Sequence, residues 1–207
     1  MAQIELPLFE LPVVLLPGEL LPLHIFEERY KAMVAHSMER DEPFGIVFTD
    51  EDSGAADVGC TAAVADVLER FDDGRLNIVV AGGSPFTVTE RHERPEFPAG
   101  TVELIELEDE PEEQDPDASA RARAAFDELA REAADDPDDV ADPGEGDAYA
   151  IAARITLPPE TKQKLLETRS EGERIRILAR ALEAVLQAVR RSQRLAETAQ
   201  TNGHAPL

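Results

Sequence analysis

A chain of 207 residues with 43% hydrophobic content is long enough to bury a core, as one domain or as a domain with a smaller appended bundle. Its charge is lopsided: 44 Asp and Glu against 20 Lys and Arg leave a formal net −24 and a pI near 4.4, which repels nucleic-acid backbones and anionic membranes. The one cysteine, Cys60, cannot close an intrachain disulfide, and no run reaches the roughly 20 apolar residues of a membrane helix, so a cytoplasmic location is expected.

The apolar opening from Ile4 to Phe26 lacks a basic leader and is interrupted by Glu5, Glu10 and Glu19, which argues against a signal peptide. Prolines recur at Pro7, Pro12, Pro17 and Pro22. Proline has no backbone donor for a central strand, so this spacing predicts short edge strands separated by bends, with Pro17-Gly18 as a turn. Tyr30, Met33, Val34 and Met38 stand at helical spacing and predict a helix over Glu27 to Met38. Phe44 to Phe48 predicts a strand and Asp50 to Asp57 an acidic loop. Thr61 to Phe71 and Leu76 to Val80 flank Asp72-Asp73-Gly74, a hairpin signal because glycine tolerates the positive φ of such turns. Gly82-Gly83 then predicts a break before a further strand at Phe86 to Thr89. Pro95 and Pro98 frame a loop, and Thr101 to Leu107 predicts the last strand.

Composition shifts after this point. Between Glu108 and Asp147 lie 17 acidic and 3 basic residues, the pattern of solvated surface and linker. Within it Asp115-Pro116 reads as a helix start, running to Ala134. A short helix over Ala148 to Ile155 follows, and Pro158-Pro159 opens another that carries Leu165 and Leu166. Ser170-Glu171-Gly172-Glu173 is a capping box launching the longest helix. On it Ile175, Leu178, Leu182, Val185 and Val189 form a seam that another helix must cover, either from within the chain or from a partner. The organisation expected is a β-rich domain over residues 1–107, an acidic linker with one helix over 108–147, a helical subdomain over 148–198 and a disordered tail over 199–207.

The passages Leu6-Pro7-Leu8-Phe9 and Leu16-Pro17-Gly18-Glu19-Leu20-Leu21-Pro22-Leu23-His24-Ile25-Phe26-Glu27-Glu28-Arg29-Tyr30 resemble the start of the amino-terminal, substrate-binding domain of the Lon protease family. The likeness is closest to stand-alone bacterial proteins that lack the ATPase and protease domains. Phe44-Gly45-Ile46-Val47, Asp73-Gly74 with Leu76 to Gly82, and Leu157-Pro158 with Lys162-Gln163 and Leu165-Leu166-Glu167 continue it in order. The resemblance implies an α+β protein, a PUA-like twisted β-barrel-type domain with one helix followed by a helical bundle subdomain. It also implies a non-catalytic protein-binding module for unfolded or exposed apolar polypeptide segments, with polypeptide clients and an ATP-dependent protease as partners. The family often carries basic residues where this chain has Ser84-Pro85-Phe86-Thr87, a departure at that edge.

The residues themselves offer little chemistry. None of the three lysines, Lys31, Lys162 and Lys164, follows a glycine in a phosphate loop, and Gly82-Gly83-Ser84-Pro85-Phe86 ends in Phe86 where a nucleophile elbow needs glycine. His24, His36, His92 and His204 lie too far apart for a zinc site, and Asp50, Asp52 and Gly54 lack the later glutamate of a calcium loop. No catalytic residue, metal or cofactor is therefore expected. Candidate peptide-binding residues are Phe86 and Phe97 beside predicted loops, and Phe26 and Tyr30, whose i, i+4 spacing better suits clamping the helix to the sheet as core. The alternative function class is a PUA-like small-molecule or RNA-binding module, with RNA disfavoured by the acidity. The oligomeric state is left open by the sequence.

Overall fold

The structure, a computed structural model, describes residues 3–52, 54–107, 115–133 and 147–202. Its elements run β1 (Gln3–Leu11), β2 (Leu20–Ile25), α1 (Glu28–Arg40), β3 (Phe44–Asp50), β4 (Gly54–Arg70), β5 (Leu76–His92) and β6 (Ala99–Leu104). Then come α2 (Pro116–Ala133), α3 (Ala148–Ala152), α4 (Pro159–Glu167) and α5 (Glu171–Asn202). Strands precede all helices but one, which makes the fold α+β.

The sheet order is β2-β5-β4-β3-β1-β6, and β6 also pairs with β5. Hydrogen-bonded neighbours therefore form a ring, β1–β3–β4–β5–β6 and back to β1, with β2 outside it against the first half of β5. Pro7 sits where β1 changes partners: residues up to Pro7 pair with β6 and those from Leu8 pair with β3. Leu8 N–H donates to the Pro98 carbonyl, so by alternation the Pro7 nitrogen faces the side on which β3 has not yet begun, and no ladder bond is lost.

One predicted break is absent and another is shortened. Where the glycine pair predicts two strands, β5 continues through Gly82 and Gly83. The glycines are there for space: a Cβ on Gly82 would lie 2.0 Å from the Leu16 carbonyl oxygen, and one on Gly83 2.5 Å from Thr61 Oγ1. Pro85 is tolerated inside β5 because the β4 register shifts opposite it, between Cys60 and Ala62. The acidic loop shrinks to a tight turn before Gly54, closed by Asp52 N–H on Asp50 Oδ1 at 2.6 Å. The Asp-Gly hairpin forms as predicted, with Gly74 at φ 82°.

One core unites sheet and helices. Phe9, Ile25, Tyr30, Phe44 and Ile78 from the sheet and α1 join Phe126, Tyr149, Leu166 and Leu182 from the helices. A second, smaller cluster, Leu6, Leu8, Val47, Phe86, Val88 and Val102, fills the far end of the strand ring. The helix inside the acidic stretch is a structural member of this core: α2 buries Ala118, Ala122, Ala125, Phe126 and Leu129. It thereby covers the α5 seam from within the chain, with Ile175, Leu178 and Leu182 buried and Val185 and Val189 partly so. Ala118 N–H donates to Asp115 Oδ1 at 2.9 Å, and this bond, with Arg176 nearby, holds the Asp115 carboxyl below the usual carboxylate range. Most of the remaining acidic stretch, 108–114 and 134–146, lies outside the described residues. The short helix α3 stops at Ala152, and α5 runs on to Asn202, past the expected start of the tail; residues 203–207 also lie outside the described ones.

Two polar clamps fix the helices. Arg174, only 1% exposed, donates to the Thr168 and Arg169 carbonyls at 2.8 Å, pairs with Glu171 and stacks over Tyr149 at 4.7 Å. Glu171 in turn accepts from Ala148 N–H at 2.7 Å at the start of α3. Between the helices and the sheet, Lys162 of α4 pairs with Glu19 of the β1–β2 turn, with the two side chains 13% and 12% exposed. Glu19 also accepts from Leu16 N–H at 3.0 Å.

Candidate functional site

The open edge of the sheet is β2, and its alternation decides what it presents. Leu21 and Leu23 pack on the core and Ile25 lies in it, so Leu20, Pro22 and His24 face outward. Register carries this outer face across two more strands. Leu20 lies opposite Ala81, Pro22 opposite Val79 and His24 opposite Asn77. On β4 the corresponding partners are Ala63, Asp66 and Glu69. Steps of three on β4 match steps of two on β5 because bulges between Val64 and Asp66 and between Val67 and Glu69 each absorb a residue. Without the bulges alternate rows would turn into the core.

The result is a face graded from apolar to polar. The first row is Leu20–Ala81–Ala63 and the second Pro22–Val79–Asp66. The third is hydrogen-bonded across all three strands: His24 Nδ1 lies 2.6 Å from Asn77 Oδ1, and Asn77 Nδ2 donates to Glu69 Oε2 at 3.0 Å. The His24 ring stacks on Phe26 at 5.9 Å and meets the edge of Phe71 at 6.1 Å, which orients Phe26 beside the strip. Leu20, Phe26 and the bulge residue Leu68 are 64%, 59% and 59% exposed. Large apolar side chains left this open near a free strand edge are the mark of an interaction surface.

The backbone edge is only partly open to pairing. Gly82 N–H donates to the Glu19 carbonyl, and alternation from there directs the backbone groups of Leu20, Pro22 and His24 away from β5. Pro22 supplies no donor, so the edge offers N–H groups at Leu20 and His24 with a gap between. That gap restrains indiscriminate strand addition while leaving carbonyls along the whole edge. At the Leu20 end the strip opens into a groove of about 580 Å³ between the Pro17-Gly18 turn and α3, flanked by Asp147 and Arg154.

Of the four residues singled out from sequence, only Phe26 is on this surface. Phe86 is fully buried in β5, its ring against Gly45 and Gly59. Phe97 is 6% exposed and packs on His36 of α1 at 5.3 Å. Tyr30 is 8% exposed, its ring 4.1 Å from Phe9. These three are core side chains in this structure: flanking prolines mark a loop but not the direction of its side chains. Leu20, Val79 and Leu68 are the surface residues that sequence reasoning missed. Period-two alternation through Leu20-Leu21-Pro22-Leu23-His24-Ile25 was the available signal for the first; the bulges that expose Leu68 have none.

Among the described residues no group of three or more His, Cys, Asp or Glu is placed to hold a metal ion, and no helix is long and apolar enough to cross a membrane. Burial pushes the Cys60 thiol up to about 12, which keeps it protonated and poorly nucleophilic near neutrality.

A family model described as the ATP-dependent protease La (LON) substrate-binding domain matches residues 5–184. The chain is 28% identical over 184 residues to a Lon protease of Anaeromyxobacter dehalogenans, covering 82% of this chain and 22% of that protein. To Lon protease 2 of Myxococcus xanthus it is 27% identical over 183 residues, again 82% of this chain and 22% of the relative. The chain thus spans under a quarter of the length of these relatives. Among solved structures, a Lon N-terminal domain protein from Xanthomonas campestris superposes with a TM-score of 0.64 at 24% identity, covering 83% of this chain and 95% of that one. The N-terminal domain of a Mycobacterium avium complex Lon protease gives 0.65 at 22% identity, covering 87% and 98%. At such identities the structural likeness establishes the fold.

Proposed function

The chain belongs to the family of ATP-dependent protease La (LON) substrate-binding domains, and from that membership we propose a non-catalytic module that holds unfolded or exposed apolar polypeptide segments on the outer face of β2, β5 and β4. It acts in the cytoplasm, as an accessory to an ATP-dependent protease. The observation that carries this reading is the strip from Leu20 to Phe26, more than half exposed at both ends, on a strand with one unpaired edge. An extended segment paired along that edge gains main-chain bonds at Leu20 and His24 and packs apolar side chains against Leu20 and Phe26.

Fluorescence anisotropy with a labelled apolar peptide tests it. Leu20→Ser with Phe26→Ser removes two exposed apolar contacts worth about 1 kcal/mol each, so affinity falls about tenfold or more while the melting temperature stays near the parent's. A double variant that binds like the parent refutes this face as the site. Co-purification with an ATP-dependent protease, lost when the face is altered, tests the accessory role.

A further inference from the structure

We propose that His24 Nε2 accepts a hydrogen bond from the side chain of a polypeptide paired along β2. Favoured clients then carry a hydroxyl or carboxamide donor, Ser, Thr, Asn or Gln, opposite His24 and an apolar residue four positions later. The inference rests on the reading of the β2 edge as the polypeptide site and specifies its ligand.

The polarity of the row His24–Asn77–Glu69 is fixed from its far end. Glu69 is a carboxylate and only accepts, so Asn77 must turn Nδ2 toward it, 3.0 Å from Oε2. Asn77 Oδ1 therefore faces His24 Nδ1 at 2.6 Å, and because an amide oxygen only accepts, Nδ1 carries the proton. In the neutral ring this leaves Nε2 as a bare acceptor. Among the described residues no group donates to it. The two ring nitrogens look to different sides of the imidazole. With Nδ1 turned to β5, Nε2 looks away from β5, toward the edge on which β2 has no neighbour. Phe26 stacks on the face of the ring and so does not cover a lone pair that lies in the ring plane, and the His24 side chain is exposed.

Strand register turns this acceptor into a sequence preference. The backbone groups of His24 point away from β5, so in antiparallel addition the client residue opposite His24 exchanges both main-chain bonds with it. Its side chain stands on the same outer face, as the direct cross-strand neighbour of the imidazole. A donor at that position extends the hydrogen-bonded row from three strands to four. Asp or Glu there sets acceptor against acceptor and adds a negative charge to an acidic surface, so both are disfavoured. By alternation the client's next outward side chains fall opposite Pro22 and Leu20, two and four positions later, and the one two positions earlier lies beside Phe26. Leu20 and Phe26, both more than half exposed, suit apolar residues at their places.

The test uses the full chain and two labelled peptides of apolar alternating sequence, identical except that one carries Thr and the other the isosteric Val four positions before an apolar residue. Their charges are equal, so the field of a −24 chain cancels from the comparison. The parent is expected to bind the Thr peptide about fivefold more tightly, the worth of one neutral hydrogen bond. His24→Phe keeps a ring on Phe26 but removes Nε2, and brings the two affinities together. Asn77→Leu frees the tautomer and reduces the ratio. Moving Thr by one position turns its hydroxyl to the other face and abolishes its advantage. Nitrogen-15 shifts of the parent's imidazole, identified by their loss in His24→Phe, are expected to show a protonated Nδ1 and a bare Nε2. Equal binding of both peptides to the parent, a Thr advantage that survives His24→Phe, or a ring protonated at Nε2 overturns the proposal while the apolar edge stands. Binding of neither peptide overturns both.

Discussion

Phe86→Ala separates a ligand contact from a core residue. The ring is wholly buried in the smaller cluster with Leu6, Leu8, Val47, Val88 and Val102, and it lies against two glycines. Losing the ring forfeits about 2 to 3 kcal/mol of transfer free energy. Gly45 and Gly59 have no side chains to move into the space, so a cavity of roughly 60 to 80 Å³ persists and adds about 1.5 to 2 kcal/mol. A loss of about 4 kcal/mol is expected, measured by urea unfolding at equilibrium. The glycines sharpen the test. A Cβ on Gly45 would meet only side chains, Phe86 Cζ at 2.6 Å and Leu8 Cδ2 at 3.0 Å, so Phe86→Leu should relieve much of the cost of Gly45→Ala. A Cβ on Gly59 also meets the backbone oxygen of Ile46 at 2.6 Å, so the same Leu should not rescue Gly59→Ala. A Phe86→Ala protein within about 1 kcal/mol of the parent, but deficient in peptide binding, would overturn the packing assignment.

Two further perturbations follow from buried groups. Lys162→Met leaves Glu19 unpaired between the β1–β2 turn and α4, and is expected to cost about 3 kcal/mol; Glu19→Gln in that background should restore part of it, and equal stability of the three proteins would show that the pair is inconsequential. Burial pushes both Cys60 and Tyr149 up to about 12. The unfolded thiol and phenol ionise earlier, so the stability tied to these groups is intact below about pH 8.5 and drains away as pH rises toward 12. The urea midpoint should therefore fall between about pH 9 and 11, and Cys60 should alkylate at pH 8.5 only with denaturant present, whereas rapid labelling of the native protein would contradict its burial.

Much of the fold was legible because its signals are local. The capping at Asp115 and Ser170 and the Asp-Gly hairpin depend on a few adjacent residues, and each forms as expected: Glu173 N–H donates to Ser170 Oγ at 3.3 Å. Periodicity located α1 and the α5 seam. Glycine was the ambiguous letter. Gly82 and Gly83 serve the approach of Leu16 and Thr61, segments some 66 and 22 positions away in sequence, and a local reading takes them for a break.

By itself the sequence determined the strongly acidic charge, the helix caps and the Asp-Gly hairpin, and the resemblance that points to the family. Tertiary structure alone decided which aromatics are available. Phe26 and Phe86 are equally apolar, yet one follows an edge strand and the other lies over two glycines at the centre of a strand ring. It also decided that the α2 helix belongs to the core, and that two bulges on β4 bring Leu20, Val79 and Asp66 onto one face. The physical reason is that exposure is set by partners distant in sequence: pairing register and bulge positions fix which way a side chain points, and one residue of shift reverses it.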